Sequence, residues 1–211
     1  IMNGSAGLDQ KIDARRQLQS LFATAQLGYN EFVYLDLSAR NDWSSTLAYT
    51  SHEKSGFFYP SVGFSLIFNK LMTLPRWVSL AKIRGAYSMV GNDIPMFITN
   101  PSSHITAGGE FLASDAAPFK DMEPEMTHSF EAGIEARFLK NRIGLNATFY
   151  KTNTRNQFFK LPTLSGDKYA YRYVNAGNIQ NVGWEVSLDA VPLLTNHFKW
   201  KTEVNFSTNR N

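Results

Sequence analysis

The side chains best suited to chemistry are dispersed along this chain. His52, His104, His128 and His197 stand apart, with no HExxH and no pair at ligand spacing, and there is no cysteine. Imidazoles and thiolates that converge on zinc therefore cannot be drawn. Asp121, Glu123 and Glu125 offer carboxylate oxygens to calcium but lack the glycine-turned spacing of a calcium loop, so they read as solvated loop. Gly108-Gly109 stands without a phosphate-binding fingerprint, and no GxSxG occurs. No cofactor or metal is expected. Glu131, Glu135, Glu185 and Asp189 could be paired on paper as the acid and base of glycan cleavage. Lys82, Arg84, Arg137, Lys199 and Lys201 share their kind of position, and a solvated polar surface accounts for all of them, so an enzyme is not expected. In the run Lys168-Tyr169-Ala170-Tyr171-Arg172-Tyr173 a tyrosine recurs at every second residue. Flat aromatic faces with polar tips stack on sugars or anchor a protein, and the same spacing suits a loop-borne hairpin packing its own tyrosines. With Trp43, these tyrosines are the candidate substrate or partner contacts.

The elements that position these groups follow from alternation. In eight segments (21–27, 33–39, 58–68, 81–89, 130–138, 143–149, 182–190 and 198–206) apolar and polar residues interleave with period two, the spacing that sends successive strand side chains to opposite faces. No charge falls on the apolar positions; the interleaved ones carry Asp36, Arg40, Lys82, Arg84, Glu131, Glu135, Glu185 and Asp189. Lysine or arginine facing lipid costs about 2–4 kcal/mol at the bilayer midplane, whereas charge in a wet lumen stays solvated, so lipid would impose this exclusion. The eight residues just named are accordingly expected to line a lumen. A soluble sandwich also keeps charge off its inner face, so alternation alone does not decide.

Connection lengths do discriminate. Residues 28–31, 69–77, 139–142 and 191–197 are short links, alternating with long ones at 43–56, 90–127 and 157–178. Outer-membrane barrels sort loops this way, with brief periplasmic turns and extended extracellular loops. Aromatics gather where strands would leave the membrane, Tyr29, Phe32, Trp77, Phe138, Phe198 and Trp200 at the short turns and Trp43, Phe57, Phe58, Tyr150, Phe158 and Phe159 at the long loops, as in the two aromatic girdles. Composition agrees: 14% aromatic and 18% charged, against about 25% charge in soluble domains. No run approaches the ~18 apolar residues of a membrane helix. A net charge of +3 with no basic run beyond Arg15-Arg16 gives no footprint for nucleic acid.

The blocks Ser38-Ala39-Arg40-Asn41-Asp42-Trp43, Phe57-Phe58-Tyr59-Pro60-Ser61, Ile83-Arg84-Gly85-Ala86-Tyr87, Glu123-Pro124-Glu125-Met126-Thr127 and Asn178-Ile179-Gln180-Asn181-Val182-Gly183-Trp184-Glu185 resemble, in order and spacing, the SusC/RagA family of TonB-dependent transporters of Bacteroidota. The resemblance covers about residues 16–211. It implies an all-β, antiparallel up-and-down transmembrane barrel of about 22 strands enclosing a plug, with roughly a third of the strands here. Residues 1–211 would then be a partial barrel domain, the plug domain, TonB box and C-terminal strands being absent. The opening Ile1-Met2-Asn3-Gly4-Ser5 carries no secretory signal, which fits an internal stretch. The family further implies the bacterial cell outer membrane, energised import of a glycan or oligopeptide, a SusD-like surface lipoprotein as lid, and the TonB complex engaged through the absent segments. Two other readings stay open on the residues: a complete eight-stranded barrel with a structural or adhesive role, and a soluble β-domain that binds or cleaves glycans.

Overall fold

A computed structural model describes residues 15–105 and 108–211; the opening residues read for a secretory signal lie outside the described residues. In chain order the strands are β1 (Leu18–Tyr29), β2 (Val33–Ser44), β3 (Phe57–Ile67), β4 (Val78–Asn92), β5 (His104–Ile105), β6 (Phe111–Leu112), β7 (Glu125–Phe138), β8 (Ile143–Arg155), β9 (Phe158–Pro162), β10 (Tyr171–Asn175), β11 (Asn178–Leu194) and β12 (Lys199–Arg210). Eight of them form one antiparallel sheet in the order β1-β2-β3-β4-β7-β8-β11-β12. β5–β6 and β9–β10 are separate small hairpins within the long loops.

Alternation sets the register. Tyr29, Val33, Leu66, Ile83, Ile134, Ala147, Val186 and Phe206 lie side by side across all eight strands. The adjacent row, one residue along, is Gly28, Tyr34, Ser65, Arg84, Gly133, Thr148, Glu185 and Ser207. A slip of one residue in any ladder would exchange an apolar row for a polar one. Among the described residues nothing covers the apolar face: Ile134 on β7 and Trp184 and Leu188 on β11, strands paired on both sides, remain 45%, 50% and 46% exposed. A soluble domain buries such a face against a second layer, which excludes the sandwich reading for the described residues. The eight-stranded closed barrel fails as well, because among the described residues β1 pairs only with β2 and β12 only with β11, leaving both edges open.

At the short-turn end, Asn30 and Glu31 both adopt left-handed backbone (φ 46° and 58°), with the Phe32 amide donating to the Tyr29 carbonyl at 3.1 Å, the two-residue turn whose twist suits a hairpin. Phe68 departs from its expected place as the last outward residue of the third strand and instead begins a one-turn helix, α1 (Phe68–Leu71). Asn69 explains the change. Its side-chain amide accepts from the Ala81 amide at 2.6 Å and donates to the Ser79 carbonyl at 3.3 Å, satisfying the start of β4 where β3 has ended.

Candidate functional site: a polar wall under a loop cap

All eight residues expected to line a lumen lie on the polar face, and the structure divides them. Where a glycine interrupts this face, a long side chain crosses it to reach the next strand but one. Arg84 on β4 passes over Gly133 on β7, where an added Cβ would lie 2.8 Å from the Arg84 Nε, and donates to the Thr148 hydroxyl on β8 at 2.7 Å. Arg137 on β7 crosses Gly144 on β8 to meet Asp189 on β11 at 3.3 Å, with Glu135 3.8 Å from its Nε. Asp36 accepts from the Gln26 side chain at 2.7 Å. Arg40 reaches Asp42 at 2.8 Å and Ser20 at 3.0 Å. Lys82, Glu131 and Glu185 make no ion pair among the described residues.

Above the wall, the three long loops do not hang free. Leu47 from the first, Ile94, Ile98 and Met122 from the second and Phe57 at the start of β3 form the buried apolar cluster, with Tyr59, Phe119, Phe158 and Tyr173 packed around it. Two carboxylates organise its margin. Asp42 accepts from Arg40 and Tyr59; Asp93 accepts from Arg16, from Thr46 and, at 2.8 Å, from Ser44. Asn175 ties the second loop to the third: its side-chain amide donates to the Glu123 carbonyl at 2.9 Å and to the Asn156 carbonyl at 2.6 Å, and accepts from the Glu123 amide at 2.8 Å. Asp93 and Asn175 carry no signature in sequence, since each becomes a hub only when distant segments meet.

The tyrosine run falls on the β9–β10 hairpin and the turn leading into it, where the residues largely pack on one another. Tyr171 and Tyr173 meet edge to face at 5.8 Å, the Lys160 ammonium sits 3.6 Å over the Tyr171 ring, and Lys168 lies 5.3 Å over Tyr169. Trp43 shares the parity of Val33 to Asn41, the outward face, and its indole N–H donates to the Lys54 carbonyl at 3.1 Å. The acidic run is dispersed, with Glu123 accepting from Asn156 and Glu125 from Asn92, each at 2.7 Å. Among the described residues no three His, Asp or Glu side chains converge as a metal site would require.

An open antiparallel sheet with one lipid-compatible face, one polar face, short turns at one end and packed loops at the other is the geometry of a large outer-membrane barrel wall. Residues 2–211 match the family described as TonB dependent receptor-like, beta-barrel. The chain belongs to that family. TonB-dependent receptors are outer-membrane barrels, so the uncovered apolar face is the lipid face. TonB-dependent receptor P39 of Formosa agariphila is 26% identical over 92% of this chain and 19% of its own length. TonB-dependent receptor SusC of Bacteroides thetaiotaomicron is 24% identical over 94% of the chain and 22% of its own. The RagAB peptide importer in its open-open state superposes with a TM-score of 0.80 at 23% identity, covering 92% of this chain and 22% of that one. The siderophore receptor PirA from Pseudomonas aeruginosa gives 0.58 at 16%, covering 92% and 34%. The SusC/RagA resemblance read from the motifs thus reappears among this chain's relatives, which are named as receptors and transporters rather than enzymes. The chain spans about a fifth of the length of the curated relatives it matches.

Proposed function

We propose that this chain supplies part of the wall and extracellular cap of a TonB-dependent transporter of about 22 strands, which imports bulky nutrients, glycans or oligopeptides, together with a SusD-like surface lipoprotein. The observation that carries the reading is the open sheet. In hydrocarbon an unpaired strand edge costs several kcal/mol per backbone group, so β1 and β12 require further strands beside them, and the partial domain becomes a third of a ring. The plug and the TonB box belong to segments outside these 211 residues. Lys82, Glu131 and Glu185 meet solute from the lumen, while Tyr169, Tyr171, Tyr173 and Trp43 are the candidate contacts at the mouth.

Cells lacking the full-length protein, and complemented cells, offered fluorescent oligosaccharides and oligopeptides, test the reading. Uptake of one probe class should disappear with the protein and with the proton gradient. Uptake of every probe at the level of complemented cells refutes import. Purification of the full-length protein should bring a surface lipoprotein with it in near-equal amount; its consistent absence refutes the partner.

A further inference from the structure

The four short connections (30–32, 68–77, 139–142 and 195–198) place Lys70, Arg76, Lys140 and Arg142 at one rim against a single carboxylate, Glu31, which Lys70 already occupies at 2.6 Å. A cleft of about 780 Å³ opens there on the lipid side, lined by Arg76, Trp77, Lys140 and Arg142 above the outward-facing Ile143 and Ala190. Its parts are held in place. Trp77 stacks on Phe138 at 5.7 Å, the Leu139 amide donates to the Trp77 carbonyl at 2.8 Å, and the Arg142 guanidinium donates to the carbonyls of Val191 at 3.1 Å and Pro192 at 2.8 Å. Arg76, Lys140 and Arg142 form no ion pair among the described residues, and Arg76 and Lys140 are exposed.

We propose that this cleft binds the phosphodiester headgroup of an anionic glycerophospholipid from the periplasmic leaflet of the outer membrane, with its acyl chains lying along Phe138, Ile143 and Ala190. Charge and position select this occupant. Short turns mark the periplasmic side of such barrels, the apolar floor runs straight into the lipid face, and Trp77 sits at headgroup level, where amphipathic rings settle. Two uncompensated cations beside a half-engaged guanidinium exceed the charge of one phosphate, which favours a lipid of net negative charge over a zwitterion. The compact lysine ammonium and the arginine fork both suit phosphate oxygens.

The test uses the full-length protein in neutral detergent, with native mass spectrometry counting retained lipid after addition of phosphatidylglycerol, phosphatidylcholine or inorganic phosphate. Arg142 is left intact because it holds the β11 backbone. The R76Q/K140Q variant should lose phosphatidylglycerol affinity by about thirty-fold, the compounded effect of two basic residues at an anionic lipid surface, while R76K/K140R retains it. Heat-modifiable gel migration reports the fold; if the double variant loses it, K140Q alone, at an exposed turn residue, should lower retention about five-fold. Equal retention in wild type and the folded variant, equal retention of phosphatidylcholine, or displacement of the lipid by millimolar inorganic phosphate each overturns the proposal.

Discussion

Leu145 and Asn146 are neighbours on β8 facing opposite sides, so one substitution made at each reads the orientation of the whole sheet. Leu145 sits between Ala136 and Leu188 on the apolar face; Asn146 sits between Glu135 and Ser187 on the polar one. The outward series on β8 runs Ile143, Leu145, Ala147, Phe149 before Lys151 brings the first charge to that face, a climb of about 20 Å at ~3.3 Å per residue and a tilt of ~40°. Leu145 therefore lies within about 5 Å of the middle of the hydrocarbon band. Arginine there costs about 2 kcal/mol, the lower end of the midplane range, or roughly thirty-fold in the folding equilibrium. Asn146→Arg places its charge across from Glu135 in a wet lumen and should be near neutral. The full-length protein refolded into phosphatidylcholine vesicles over a urea series, scored by heat-modifiable migration, separates the two. A Leu145→Arg midpoint equal to that of Asn146→Arg refutes the facing, and with it every lumenal assignment.

Gly144→Ala should destabilise by about 1–3 kcal/mol in the same assay, because its methyl would fall into the Arg137–Asp189 bridge, whereas Gly63→Ala, whose methyl would meet nothing closer than the Asp36 Cβ at 3.7 Å, should be tolerated. Asn175→Ala removes three hydrogen bonds, two of them joining the second loop to the third, at a local cost of about 1–3 kcal/mol; limited proteolysis should cut residues 93–124 faster while the strands stay protected. Lys70 lowers the Glu31 carboxyl below its ordinary value, chiefly through the hydrogen bond and then by charge. A depressed acid stabilises above its unfolded value and loses that contribution as pH falls through the folded one, so the turn should loosen only below the ordinary carboxylate range. Hydrogen exchange of the 30–32 peptide should show that onset, moved to higher pH in Lys70→Met.

What could be read in the sequence was whatever had a period. Eight strands, their order and the face of every lumenal charge follow from alternation, because lipid and lumen act on every second residue and a strand cannot satisfy both in any other register. The cap has no such regularity. Leu47 and Met122 are single apolar residues in polar surroundings, and Ile94 and Ile98 bracket the exposed Met96 and Phe97, so the buried ones are indistinguishable from exposed ones until loops distant in sequence pack together. Trp43 is a different case. Counting by two from Val33 puts it on the outer face in sequence and in structure alike, but the bond from its indole N–H to the Lys54 carbonyl exists only once the first long loop folds back on β2. Phe68 has the outward parity in sequence, but β3 ends before it, and Asn69 supplies by side chain what another backbone pair would supply.

The glycines on the polar face tie wall to function. With side chains at 133 and 144, Arg84 and Arg137 would meet a Cβ on the strand beside them and turn into the lumen. Without them, each arginine lies flat and joins strands that do not touch, β4 to β8 and β7 to β11. A ladder couples only neighbours, so these crossings brace the sheet across its weakest direction, perpendicular to the strands. In the proposed importer they also remove charge from the solute's path, because a guanidinium already held by a hydroxyl or a carboxylate has fewer donors to give. The charges of the polar face thus separate into a structural set, Arg84, Arg137 and Asp189, and an available set, Lys82, Glu131 and Glu185. Only the second can change what the lumen attracts without first loosening the wall.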